Sequence, residues 1–144
     1  MGRRLALGIR GQGGSVRIDH VGIWTENLDR LREFYERYFG ALASPKYENS
    51  HRQFTSYSLG FLDGCRIEVM SVPGLFARRN SSHAPAIGYA HVSISVGSEQ
   101  EVDRLTARLR EDGFPVLDGP RRTGDDFYES VVLDPDGNRI EITA

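Results

Sequence analysis

Two glutamates, Glu68 and Glu141, stand in runs of the same form: Asp-Gly, any residue, Arg, Ile, Glu and an aliphatic residue. The runs are DGCRIEVM, which begins at Asp63, and DGNRIEIT, which begins at Asp136, 73 positions later. Asp-Gly before a β-prone run predicts a hairpin turn, so each glutamate falls on a strand between aliphatic residues. A carboxylate in such a place is normally paired, hydrated or bound to a metal ion.

Two histidines share a second repeated pattern, in which His-Val, any residue and Ile open a strand. His20 begins HVGIW and His91 begins HVSIS, and each run leads into an amphipathic helix. Because side chains alternate across a strand, each His and each Glu lies opposite its aliphatic neighbours. Those aliphatic faces must pack against the two helices. The helix-free face is therefore expected to carry His20, Glu68, His91 and Glu141.

Two imidazoles and two carboxylates on one face form a ligand set for a divalent metal ion. Zn²⁺ would bind them at roughly 2.0–2.2 Å, and Ni²⁺, Mn²⁺ or Fe²⁺ would add water to complete six-coordination. A single strand histidine is usually just hydrogen-bonded, and a single strand glutamate usually faces solvent. Four such residues at equivalent positions of a repeat favour a shared metal ion.

The elements that must position these residues form a duplicated β-α-β-β-β unit. Gly40 ends the first predicted helix, and Gly113 ends the second. The second helix begins at Ser98, where Glu101 completes a capping box. Three strands follow each helix, and an Asp-Gly turn joins the last two. We therefore expect an α+β fold of two tandem βαβββ modules.

The composition suits one globular domain of 144 residues, with 39% hydrophobic and 26% charged residues. A net charge of −2 gives no electrostatic reason to bind nucleic acid or an anionic membrane. The single cysteine, Cys65, excludes an intrachain disulfide and favours a cytoplasmic location. No apolar run is long enough to span a bilayer.

The domain boundaries follow from the repeat. Residues 1–17, rich in Gly and Arg, are expected to be a flexible N-terminal arm, and 18–143 a single domain. Module one is predicted at 18–71, a connector at 72–87 and module two at 88–143. The connector contains two prolines and several small polar residues. It is either a lid over the site or a plain linker.

The stretches IDHVGIWTENLDRLREFYERYFGA and ESVVLDPDGNRIEI resemble the vicinal oxygen chelate superfamily, which includes glyoxalase I, extradiol dioxygenases and bleomycin resistance proteins. The resemblance covers residues 18–143. It implies an eight-stranded incomplete barrel with a metal ion in its concave face, commonly assembled as a homodimer. It also implies one divalent ion per site, Zn or Ni first and Mn or Fe as alternatives, bound by His20, Glu68, His91 and Glu141.

The ligand order His-Glu-His-Glu is similar to that of metallated glyoxalase I. It implies a metal-dependent lyase or isomerase, in which a metal-stabilised enediolate forms from a small oxo substrate such as a thiol hemithioacetal. By the resemblance, Glu141 is the first choice as catalytic base and Glu68 the second. The Arg and Asn that hold the glutathione carboxylates in glyoxalase I are here Trp24 and Val72. A different thiol, or a substrate without that tail, is therefore favoured.

Five further residues are expected to contact the substrate: Trp24, Arg66, Tyr57, Tyr128 and Arg139. Trp24 shares the face of His20, the arginines share the faces of the glutamates, and the tyrosines lie on middle strands. Simple packing or pairing with the carboxylates is the alternative for each. Other members of the superfamily leave two alternative functions open. One is an epimerase or dioxygenase, and the other is a non-catalytic protein that binds small molecules.

Overall fold

A computed structural model describes residues 16–76 and 87–144. Most of the predicted arm and most of the predicted connector therefore lie outside the described residues. The elements are β1 (His20–Trp24), α1 (Leu28–Phe39), β2 (Leu42–Ala43), β3 (Tyr47–Asn49), β4 (Phe54–Gly60), β5 (Arg66–Ser71), β6 (Val92–Ser95), α2 (Glu99–Glu111), β7 (Val116–Arg122), β8 (Tyr128–Leu133) and β9 (Arg139–Thr143).

The chain is α+β and contains two tandem βαβββ modules, each with its own sheet. The first sheet has the order β1-β5-β4-β2, with β3 also paired to β4, and the second has the order β6-β9-β8-β7. In both sheets the first and last strands of the module are parallel neighbours. Neither sheet is closed. The described residues form nine strands instead of the expected eight, because the stretch after α1 is divided into β2 and β3 around Pro45.

The aliphatic neighbours of the two glutamates form the core, as the alternation predicts. Ile67 and Val69 are 2% and 0% exposed, and Ile140 and Ile142 are both 0% exposed. They pack against the buried faces of α1 and α2. Truncation of one such side chain to alanine typically costs about 2–5 kcal/mol. This packing fixes the register, since a slip of one residue would turn the glutamates into the core.

The helix ends follow the sequence signals with one difference. Gly40 caps α1 in the left-handed conformation, with a φ of 65°. At the start of α2, the backbone N–H of Glu101 donates to the Ser98 hydroxyl at 3.2 Å, as predicted. The Glu101 carboxylate instead accepts from Arg104 at 2.7 Å. The predicted capping box is therefore wrong in its second half, because the arginine one turn later competes for that carboxylate.

Helix α1 also contacts module two. The hydroxyl of Tyr35 donates to the buried Asp134 at 3.1 Å, and that of Tyr38 donates to Asp112 at 2.6 Å. The rings of Phe34 and Phe114 lie 5.0 Å apart. None of these contacts involves the four predicted ligands. Within 16–76 and 87–144, neither helix has the length and apolar character needed to cross a membrane.

Candidate metal centre

Module one brings the first predicted histidine and glutamate together. β1 runs parallel to β5, so that His20 pairs with Arg66, and Gly22 pairs with Glu68. The imidazole Nε2 of His20 lies 3.6 Å from the Glu68 carboxylate. The two side chains are 47% and 31% exposed. They are therefore open to solvent and can both reach one ion.

The second ring nitrogen of His20 has its own partner. Nδ1 lies 2.9 Å from the Asp19 carboxylate, to which Arg66 also donates at 2.5 Å. These bonds, first the one from His20 and then the one from Arg66, lower the pKa of Asp19. An ionised carboxylate only accepts hydrogen bonds, so Nδ1 carries the proton in this contact. Nε2 is then left to face Glu68.

Module two repeats the pair on equivalent strands. His91 directly precedes β6, and its Nε2 lies 3.3 Å from the Glu141 carboxylate on β9. Ser93 pairs with Glu141 across the two strands, and its hydroxyl donates to the other carboxylate oxygen at 2.7 Å. The Glu141 side chain is 18% exposed, less than its counterpart in module one. Glu141 is therefore the more restrained of the two glutamates.

The chain thus assembles the four predicted ligands as two pairs. Among residues 16–76 and 87–144, no three His, Cys, Asp or Glu side chains come together in a group that could hold a metal ion. The two pairs lie on separate sheets, and each histidine is at or beside a strand at one end of its sheet. One described chain therefore offers two half-sites.

A cavity of about 390 Å³ adjoins the half-site of module two. It is lined by Ser93, Thr123, Asp125, Phe127, Glu129, Glu141 and Thr143. Burial, and after it the negative charge of Glu141, raises the pKa of Glu129. The guanidinium of Arg121, 3.9 Å from the Glu129 carboxylate, acts in the opposite direction and lowers that pKa. The lining thus contains three carboxylates and three hydroxyls but no arginine or lysine. It suits hydrogen-bond donors better than an anion.

The corresponding face of module one is aromatic. Trp24 is 50% exposed and meets the edge of Phe54, with ring centroids 6.2 Å apart. Phe54 in turn lies 6.1 Å from Tyr47. Since Trp24 and His20 share one side of β1, this aromatic cluster extends the surface beside the half-site.

The prediction that Tyr57 and Tyr128 line the pocket is wrong. Both rings pack against the core, on the helix side of their sheets. The hydroxyl of Tyr57 donates to Asp29 at 3.0 Å, and that of Tyr128 donates to Asp103 at 2.7 Å. Alternation explains the error, because Tyr128 precedes the cavity-lining Glu129 and so points the opposite way.

The two arginines lie on the faces expected for them. Arg66 is bound to Asp19, so its guanidinium supports the histidine side of the half-site. Arg139 lies on β9 two residues before Glu141 and pairs with Leu133. Substrate contact by either arginine, and by Trp24, stays a prediction.

Three residues beside the half-sites were missed by the sequence reasoning: Asp19, Ser93 and Glu129. Ser93 and Glu129 follow from alternation, since each is two residues from another residue on the same open face. Asp19 carries no such signal. Its role depends on the pairing of β1 with β5, which places Arg66 beside it.

Comparison with known proteins places this chain in a family. Residues 17–142 match the model of the Glyoxalase/Bleomycin resistance protein/Dioxygenase superfamily. The trypanothione-dependent glyoxalase I of Leishmania major is 25% identical, with a TM-score of 0.70 over 90% of this chain and 86% of that one. A possible glyoxalase from Bacillus cereus is 27% identical, with a TM-score of 0.64 over 90% and 100% of the two chains.

A domain from Frankia sp. EAN1pec shows how far the fold extends beyond sequence similarity. It is 18% identical, with a TM-score of 0.74 over 90% of this chain and 98% of that one. At that identity the likeness shows the fold alone. The family match spans both modules and both His–Glu pairs. The chain belongs to the Glyoxalase/Bleomycin resistance protein/Dioxygenase superfamily.

Proposed function

We propose that the protein is a metal-dependent lyase or isomerase of the glyoxalase type, which acts on a small oxo substrate. The observation that carries this proposal is the pair of His–Glu contacts, with Nε2 to carboxylate distances of 3.6 Å and 3.3 Å. Two pairs supply two imidazoles and two carboxylates. Zn²⁺ or Ni²⁺ fits this donor set best, with Mn²⁺ or Fe²⁺ as alternatives.

We further propose that a second copy of the chain completes each site. A His–Glu pair supplies only two ligands, and the four ligands do not form one cluster among the described residues. β1 and β6 are terminal strands in the described sheets, and both lie beside the histidines. Terminal strands with unpaired backbone groups are ready surfaces for pairing with another chain. A homodimer that joins module one of one chain to module two of its partner would unite His20 and Glu68 with the opposite pair.

The chemistry proposed is the movement of one proton between neighbouring carbons. A divalent ion held by these residues would supply positive charge, which favours loss of a proton from the carbon beside a carbonyl. Glu141, our first choice, or Glu68 takes that proton and returns it to the adjacent carbon. The hydroxyl proton of the hemithioacetal moves to the former carbonyl oxygen in the same conversion, which yields the thioester of a 2-hydroxy acid without an oxidant or a reductant.

The cavity of module two supports a substrate without an anionic tail. Its lining includes Asp125, Glu129 and Glu141 and no basic residue. A carboxylate beside these groups would meet like charge in a partly buried space, which disfavours binding. We therefore propose a thiol other than glutathione, or a substrate that lacks its two carboxylates.

Elemental analysis of the full chain, purified without chelators, tests the metal site. We expect about one Zn, Ni, Mn or Fe per chain, and a sharp reduction in His91→Ala and Glu141→Gln, because each loses one ligand. Glu48→Gln, which changes an exposed carboxylate on β3, is the control that should keep the metal. No metal in the wild-type chain, even after divalent ions are added back, would refute the proposal.

Turnover is then measured with hemithioacetals of a 2-oxoaldehyde, prepared from glutathione and from a small thiol without carboxylates. We expect thioester formation, faster with the uncharged thiol. Turnover of acyl-CoA epimers alone would instead indicate an epimerase, and oxygen uptake with a catechol would indicate a dioxygenase. Bound metal without any turnover would favour a protein that only binds its ligand.

A further inference from the structure

We propose that Asp19, held by Arg66, is the positioning residue that fixes His20 for metal binding. This inference rests on the proposed function, because it assigns a role toward the metal site. Asp19 lies just before β1, and its contact with the four predicted ligands is through the ring of His20.

Three contacts hold Asp19 in place, two through its carboxylate and one through its backbone oxygen. Its side chain accepts from His20 Nδ1 at 2.9 Å and from the Arg66 guanidinium at 2.5 Å. Its backbone oxygen accepts from the N–H of Arg66 at 3.0 Å. Asp19 is thus tied to β5 by both its main chain and its side chain. The imidazole is held with Nδ1 toward Asp19 and Nε2 toward Glu68.

This arrangement selects the ring nitrogen that meets the metal. A neutral imidazole carries one proton, and the nitrogen that binds a metal ion must be the unprotonated one. A carboxylate that accepts from Nδ1 places the proton there, orients the ring and makes Nε2 a better donor. Removal of such an outer partner typically weakens metal binding about 10- to 100-fold.

The second module provides an internal comparison. Ala90 precedes His91, where Asp19 precedes His20, and an alanine side chain cannot accept a hydrogen bond. The two arginines are equivalent, since Arg66 and Arg139 each stand two residues before the glutamate of their module. The arginine that both modules share therefore does not by itself account for the contact. The carboxylate is particular to module one.

A purely structural role for Asp19 is the competing explanation. The side chains of Asp19, His20 and Arg66 are about half exposed, at 55%, 47% and 51%. Exposed ion pairs contribute little to stability, because solvent screens them. An effect on metal affinity without an effect on folding therefore separates the two roles.

The experiment measures Zn²⁺ affinity by competition with a chromophoric chelator, with the full chain and its Asp19→Asn and Asp19→Ala variants. We expect a graded loss, about 10-fold or more for Asp19→Ala and less for Asp19→Asn, whose amide oxygen still accepts from Nδ1. Glu48→Gln, which removes an exposed carboxylate from the same module, should bind as the wild type does.

Two further readouts show which role Asp19 has. Nitrogen-15 NMR of the metal-free chain should show the His20 proton on Nδ1 in the wild type and redistributed in Asp19→Ala. Thermal unfolding of the metal-free variants should be unchanged. Unaltered Zn²⁺ affinity in Asp19→Ala, or a loss matched by lower thermal stability, would overturn the inference. If the wild type binds Zn²⁺ and both variants bind it equally tightly, only this inference fails. If the wild type binds none, the proposed function fails with it.

Discussion

The two half-sites keep the same ligands but differ in what surrounds them. Phe54 in module one and Phe127 in module two occupy equivalent positions, and both lie on the open faces. Elsewhere the faces diverge, because module one has Gly22, Trp24 and Ser56 where module two has Ser93, Ser95 and Glu129. One face is therefore aromatic, and the other is polar and acidic.

The outer partners differ in a complementary way. In module one the histidine is supported, because Asp19 accepts from His20. In module two the glutamate is supported, because Ser93 donates to Glu141. Gly22 stands opposite Glu68 and has no side chain to donate. The two modules thus share the strands that carry the ligands, but module one restrains its histidine and module two restrains its glutamate.

The largest expected effect comes from separating the two half-sites onto different chains. One chain carries His20→Ala and Glu68→Ala, and the other carries His91→Ala and Glu141→Ala. If each site joins module one of one chain to module two of its partner, a mixed dimer has one site with all four metal-ligating residues and one site with none of them. We expect no metal in either variant alone and about half the wild-type content in the purified mixed dimer.

Differently tagged chains allow the mixed dimer to be isolated and analysed for metal. A control mixture of two chains that carry the same pair of substitutions should bind none. If the mixed dimer also binds none, while the wild type binds, the four ligands of a site come from one chain. Monomeric behaviour of the metal-loaded wild type would contradict the shared site directly.

A smaller effect is expected from Ser93→Ala, which removes the hydroxyl that restrains Glu141. A hydrogen bond to a charged group contributes about 1.5–3 kcal/mol, and loss of an outer partner weakens metal binding about 10-fold or more. Zn²⁺ competition with a chelator measures the change. Ser95→Ala, two residues along the same face of β6, is the matched control and should have no effect. Equal losses in both variants would mean that Ser93 does not act through Glu141.

The sequence predicted the strands and the faces that carry the four ligands better than it predicted the residues around those ligands. The repeat, the hairpin turns and the period-two alternation place Ile67, Glu68, Ile140 and Glu141 correctly, because burial of one face determines the register. The same alternation on the middle strands places Tyr128 opposite Glu129, on the helix side of its sheet, and so accounts for the wrong prediction that it lines the pocket. Asp19 required knowledge of which strands pair. Its partner Arg66 lies 47 residues away, and no local pattern encodes that contact.

The division of the ligands between two half-sites also lay beyond the sequence. Alternation shows which face of a strand a side chain occupies, but it does not show how two sheets are oriented. The two modules are joined by contacts of α1 with module two, such as Tyr35 with Asp134 and Tyr38 with Asp112. These are single pairings between distant segments, and the composition of α1 is equally consistent with packing on its own sheet alone.

The smallest expected effect concerns Glu129, which occupies the position of Ser56 in module one. Burial and then the charge of Glu141 raise its pKa above the ordinary value of 4.5, so the folded chain holds this proton to higher pH than the unfolded chain does. Between the two pKa values the native state therefore binds more protons than the unfolded state, and the free energy of unfolding falls as the pH rises through this range.

Glu129→Gln removes this loss of stability. We expect the variant to be more stable than the wild type at about pH 7, with the difference shrinking toward about pH 4. Urea unfolding at both pH values measures it, and Glu48→Gln, at an exposed site, should show no such trend. A variant less stable at neutral pH would mean that Arg121, 3.9 Å away, outweighs burial and the neighbouring carboxylates. Arg121 would then neutralise the negative charge on the open face of module two. The open faces of the two modules would differ in shape, because one is aromatic, and not in net charge.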